Sequence, residues 1–219
     1  MLGIFLILLN NILYNFTGSI YPEGTGHRLD IYLGPLGSID EMIPFVPEWA
    51  IFYIYLFFPM VIITTHFFAI IESEKGYALG WALVISHAIA IIIYIIFPVS
   101  TYWWRKELLA NPIEGNFFAD AVYNHYAVDT SFNCWPSLHA TISVICFYVW
   151  YRYYKLSPDK IKLTITIISL IIAAGVVLST LFVKQHYIVD EIAGIVLAYV
   201  VSKHVFNKLW KNFDKSNSK

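Results

Sequence analysis

Long apolar runs separated by short polar connectors dominate the chain, and their length, more than any two- or 3.6-residue alternation, carries the signal. Trp49–Ile71, Leu79–Pro98, Leu163–Val183 and Tyr187–Asn207 each reach the roughly 20 residues that an α-helix needs to cross about 30 Å of hydrocarbon. Leu138–Tyr154 is slightly shorter but continuous. Met1–Phe16 is short enough to suggest a signal peptide. It lacks a basic leading segment and a small-x-small cleavage site, so it is read as an uncleaved first transmembrane helix over 1–16. The pattern predicts an all-α fold, an integral membrane bundle of six transmembrane helices, with a cytoplasmic tail over 207–219. The loop 99–137 is too long for a plain connector. Within it Asn116–Ala127 sets Phe117, Phe118, Ala121, Val122 and Tyr126 roughly along one side. That segment is either an amphipathic helix lying in the interface or a solvated loop.

Composition agrees. The 219 residues are 58% hydrophobic and 13% charged, against about 45–50% and about 25% in soluble domains. A net charge of −1 leaves no nucleic-acid footprint. Cys134 and Cys146 allow one disulfide at most and form no CxxC zinc pattern. Charge also orients the bundle. Lys75, Arg152, Lys155, Lys160, Lys162, Lys203, Lys208, Lys211, Lys215 and Lys219 fall on one face, and Arg28, Arg105, Lys106 and Lys184 on the other. The positive-inside rule makes the first face cytoplasmic and turns the loops 17–48, 99–137 and 183–186 outward, most simply at the cell membrane. Trp and Tyr residues at both ends of the runs read as interfacial anchors.

Ionisable groups at span ends are costly in hydrocarbon and point to chemistry. His139 begins the fourth long run in Cys134-Trp-Pro-Ser137-Leu-His139, and His186 and Asp190 begin the last. The i, i+4 spacing puts His186 and Asp190 on one helical face, where a carboxylate fixes the imidazole tautomer and leaves the other ring nitrogen as a base or nucleophile. Up-and-down topology brings His139 to the same outer end. Spacing alone is not specific: His125 and Asp129 repeat it inside the long loop, and His66 and His87 read as ordinary interfacial polar residues. On the residues alone, the catalytic and the interfacial readings of the His139, His186 and Asp190 group stay open.

Two motifs add to this. Pro136-Ser137-Leu138-His139 resembles the P-S-x-H motif of the type 2 phosphatidic acid phosphatase superfamily, and Ser179-Thr180-x5-His186-x3-Asp190 resembles its S-R-x5-H-x3-D motif. Similarity runs from about Ile39 to Phe206, so 39–206 is taken as the membrane domain. The context Asp129–His139 resembles the branch that holds inositol phosphorylceramide synthases and their bacterial relatives. The family's first motif, K-x6-R-P, is broken: Arg105 stands alone, with Pro98 in place of the lysine and Lys106 in place of the proline. The second arginine is Thr180.

The resemblance implies a membrane lipid-phosphate phosphatase or phosphotransferase acting through a phosphohistidine at the extracytoplasmic face. His186 is then the nucleophile, Asp190 orients it, and His139 is general acid and then base. Ser137 and helix-start N–H groups would hold a phosphoryl oxygen, and Arg105 and Lys184 would supply charge, Lys184 also reading as a snorkelling cation. No metal or cofactor is implied; the partners are the bilayer and a lipid phosphate, and the oligomeric state is open. The two lost cations favour a lipid phosphodiester, or a diphosphate, over phosphatidic acid, and tilt the reading toward head-group transfer. Two rivals stand beside this: a metal triad of His139, His186 and a carboxylate, and a non-catalytic descendant of the fold.

Overall fold

The computed structural model describes residues 12–216. The predicted first helix lies largely outside them; within them residues 12–19 are helical (α1). The described residues hold no strand, only isolated bridges pairing His27 with Val99 and Tyr32 with Ser38. A short α2 (Ile39–Met42) precedes α3 (Pro47–Ile70), whose first turns are wound as a 3-10 segment, Pro47–Trp49, and a π segment, Ile51–Leu56. Then come α4 (Ser73–Ile96), α5 (Tyr102–Ala110), α6 (Phe117–Val128), α7 (Leu138–Leu156) and α8 (Lys160–Phe182). The last helix, α9 (Ile188–Val201), continues through a π turn, Ser202–Phe206, into α10 (Asn207–Ser216).

Among the described residues three helices, α3, α4 and α8, are long and apolar enough to cross a membrane. Their large apolar side chains face outward, as Ile62, Ile63, Ile92, Ile96, Ile167 and Ile171 do, while smaller and polar ones turn in. A bundle solvated by hydrocarbon has this arrangement, since its outer surface gains nothing from charge.

Helix α7 is the hub, packed on α3, α4, α8 and α9. It is central because its inner positions are small: Ala140, Thr141, Ser143 and Cys146 are all fully buried. Small residues let backbones approach and let hydroxyls bond across helices. Thr141 Oγ1 donates to the carbonyl of Ser137 at 2.7 Å and to that of Gly194 on α9 at 3.0 Å. A β-carbon at Gly194 would collide with the Ser137 carbonyl oxygen, so this contact requires glycine. Trp150 Nε1 donates to Thr64 Oγ1 of α3 at 3.0 Å, tying the far half of the hub.

The two ends differ. One carries the α3–α4 and α7–α8 turns and α10, where buried Trp210 sits beneath the charges of Lys75 and Arg152, 5.5 and 5.9 Å from its ring centre. The other is roofed by irregular chain. The segment 116–127 is a helix: Asn116 Oδ1 caps α6 by accepting from the N–H groups of Phe118 and Ala119 at 2.9 and 3.1 Å. Its inner face, Val122 and Tyr126, packs on Ala50, Tyr53 and Val183. The loop before α3 is structured too. Buried Asp40 accepts from the N–H of Ile31 and from that of Ile188, both at 2.8 Å, and so staples this loop to the start of α9.

Candidate active site

Local capping places the three key side chains. Ser137 caps α7, its Oγ accepting from the N–H of Ala140 at 3.2 Å, which aims His139 from the first turn. Asp190 caps α9 by accepting from the N–H of Tyr187 at 2.9 Å, and the N–H of Ser137 donates to the Asp190 carbonyl at 3.0 Å. The two helix starts are thereby locked together, and residues 47 apart in sequence meet: His139 Nδ1 lies 3.3 Å from His186 Nε2. His186 Nδ1 lies 3.3 Å from Asp190 Oδ2. Both His186 and Asp190 are buried.

Tautomers follow from this chain. Asp190 accepts from Nδ1–H of His186, so in the neutral form of His186 the lone pair is on Nε2, facing Nδ1 of His139. The site thus holds an oriented nitrogen, nucleophilic when His186 is neutral, against the ring of His139. Burial pushes the His186 pKa down, but the bond to Asp190 and the charges of Glu191 and Asp190 outweigh it and hold it above the ordinary histidine value.

The two remaining cations have separate fates. Arg105 is buried at the edge of the site, where Nη1 donates to the Asp129 carbonyl at 2.7 Å and Nη2 to Oε1 of Gln185, the neighbour of His186. Its guanidinium also lies 3.5 Å from the Asp129 carboxylate and 4.8 Å from the Tyr126 ring centre. Lys184, in a left-handed backbone conformation (φ 53°), directs its ammonium to the Asp40 carbonyl at 2.7 Å and the Trp104 ring face. Burial pulls its pKa down. It lines an outer cavity of about 620 Å³ with Arg28, Glu41, Trp103, Trp104 and Glu107, and the structure does not bring it to the histidines.

Several neighbours had no sequence signal of their own. Tyr53 of α3 lies between two histidine rings, 4.7 Å from His139 and 4.9 Å from His125. Its hydroxyl is 3.0 Å from His125 Nε2, and His125 in turn is 3.8 Å from Asp129. The second His–Asp pair is therefore part of the wall of the site, although its spacing alone looked incidental. Glu191, buried on the first turn of α9, accepts from Thr180 Oγ1 at 2.9 Å. Burial of a carboxylate next to Asp190 gives no periodicity that a sequence could reveal.

Among the described residues, the donors that could hold a metal ion are Cys134, His186 and Asp190, whose ligand atoms lie within 4.8 Å of one another. They fit one poorly. His186 and Asp190 are committed to each other, and burial pushes the Cys134 thiol pKa up, while a metal ligand must be thiolate.

At 3.3 Å the two ring nitrogens are in hydrogen-bond contact, so an electrophile reaches Nε2 of His186 only when the His139 ring moves aside. Comparison with known proteins agrees on the family. Residues 43–203 match the profile described as PAP2 superfamily. No curated protein and no solved structure matches the chain. The matched residues run from the loop before α3 into the turn after α9 and include both motifs and all three site residues, so this chain belongs to the PAP2 superfamily, the type 2 phosphatidic acid phosphatases.

Proposed function

We propose that this protein is a membrane lipid-phosphate phosphotransferase or phosphatase that works through a phosphohistidine on His186. The observation that carries the proposal is the continuous chain His139–His186–Asp190, with the His186 nitrogen distal to Asp190 facing His139. In the first half-reaction Nε2 of His186 attacks phosphorus. An N–P bond forms, the P–O bond to the leaving group breaks, and the leaving oxygen takes the proton of His139. In the second, His139 takes a proton from water or an acceptor alcohol, whose oxygen attacks phosphorus as the N–P bond breaks. Asp190 stabilises the positive charge on the His186 ring throughout. The start of α7 is the proposed cradle for a phosphoryl oxygen, with Ser137 buried there, its N–H on the Asp190 carbonyl and its Oγ accepting from the Ala140 N–H. Product analysis by mass spectrometry and free-phosphate release, with labelled lipids, a supplied alcohol and EDTA, tests this directly. Turnover in EDTA supports a side-chain nucleophile; a strict requirement for added metal would overturn it.

The raised His186 pKa has a sign that can be read in kinetics. Protonation removes the Nε2 lone pair, so kcat/KM rises with pH through the His186 titration, and the midpoint lies above the ordinary histidine value of about 6.5. Asp190→Asn is expected to move this limb to lower pH as well as lowering activity. An unmoved limb would mean that another group controls it.

The six-span bundle with an outward site is part of the proposal. Three helices have the length and apolarity alone; α7 is enclosed by its neighbours, α9 is apolar with Ile192, Val196 and Tyr199 exposed but is only 14 residues long before its π turn, and the predicted span 1–16 lies largely outside the described residues. The cation-rich end around Trp210 supports a cytoplasmic placement of α10. Cysteine at exposed Glu114 should react with a membrane-impermeant thiol reagent in intact cells, and cysteine at exposed Ser157 only after lysis. Native Cys134 and Cys146 are buried and should stay silent. The opposite labelling would invert the site.

A further inference from the structure

Thr180 stands where the S-R-x5-H-x3-D motif carries its arginine, and the structure shows what replaces the cation. Thr180 Oγ1 donates to Glu191 Oε1 at 2.9 Å, while the Thr180 carbonyl receives the N–H groups of Gln185 at 2.8 Å and His186 at 3.3 Å. Glu191 is 3% exposed, and beyond Thr180 its carboxyl has the Ser137 hydroxyl within reach. It is within electrostatic reach of His186. Where the motif has a guanidinium, this chain has a threonine bonded to a buried carboxyl.

We propose that the Thr180–Glu191 pair is a charge filter that restricts the site to singly charged lipid phosphodiesters and rejects terminal phosphates. This rests on the reading of the site given above and narrows its substrate class. A phosphodiester carries one negative charge, whereas a terminal phosphate carries about 1.5 to 2 near neutral pH. If Glu191 is ionised, it repels the second charge in a site where water cannot screen it. If it is protonated, it offers one neutral donor where a guanidinium would offer two charged ones, again insufficient for a dianion. The filter therefore acts in the same direction in both states. It also narrows the expectation from the missing cations alone, because a lipid diphosphate ends in a terminal phosphate and is rejected too. A simple return of Thr180 to arginine is not enough, since the new guanidinium would pair with Glu191 at once and leave the net charge of the site little changed.

The test compares kcat/KM for phosphatidylglycerol, a diester, with that for phosphatidic acid of the same acyl chains, using the full-length protein in lipid nanodiscs with EDTA. The wild-type protein should favour the diester. Glu191→Gln should shift the ratio toward phosphatidic acid by roughly tenfold or more. T180R alone should shift it little, and the T180R/E191Q double variant furthest. A merely structural Glu191 would lower both rates together and leave the ratio fixed, which overturns the filter. So does a wild-type preference for phosphatidic acid, a result that needs no variant to fold and leaves the phosphohistidine reading intact. Absence of turnover on either lipid by the wild type would remove that reading and the filter with it.

Discussion

His186→Ala is expected to abolish turnover, with a loss of more than about 10⁴-fold, because it removes the ring nitrogen that Asp190 orients toward His139. His139→Ala should slow both half-reactions by roughly 10²–10⁴-fold, since one residue protonates the leaving oxygen and deprotonates the acceptor. The pair should be strongly non-additive, as expected for groups that act as a unit. His125→Ala separates this triad from its wall. His125 bonds to Tyr53, whose ring packs on His139, so its loss should cost about tenfold, the size of one hydrogen bond. Steady-state kinetics on purified variants, with melting temperatures to confirm folding, measure all three. A His125→Ala as inactive as His186→Ala would show that the other His–Asp pair does the chemistry.

Arg105→Ala is expected to destabilise the protein by about 3–5 kcal/mol, the cost of removing one partner from a buried ion pair. Its guanidinium ties α5 to the Asp129 carbonyl and carboxylate and, through Gln185, to the loop that carries His186. Truncation leaves the Asp129 carboxylate with the Tyr14 hydroxyl at 3.1 Å and the distant His125. Thermal unfolding in detergent reads the loss, and Arg105→Lys should recover part of it without the full fork of bonds. A variant that melts like the wild type but fails only in turnover would instead make Arg105 a phosphate ligand.

The grouping of His139, His186 and Asp190 was legible because its signals are local and chemical. The i, i+4 spacing of His186 and Asp190 does bring them together, though through the capping turn before α9 and not on one helical face, since His186 precedes the N-cap Tyr187; Ser137 and His139 share a helix start. The meeting of the two helices was legible only through topology and the family motifs. What escaped depends on tertiary contact. Lys184 reads as a phosphate cation by position, yet its left-handed backbone turns the side chain to Asp40, 144 residues earlier. The loop 17–48 reads only as an outward-facing loop, yet one carboxylate, Asp40, fixes it to α9. The long outer loop gave a weak helical pattern over 116–127 and none for α5, where Tyr102–Ala110 is too polar and short to show a period. Apolar run length found the spans that face lipid. It is a weaker guide to α7, whose enclosed positions are small and polar because packing, and not lipid, surrounds them.

The most direct measurement is the site of covalent labelling. Single-turnover reaction with a phosphate-labelled lipid, quenched under alkaline conditions and mapped by mass spectrometry, should place an acid-labile phosphate on Nε2 of His186, absent in His186→Ala and longer-lived in His139→Ala once the leaving group has gone. A phosphate on His139, His125 or any other residue, or turnover in one step with no adduct at all, would contradict a nucleophilic His186.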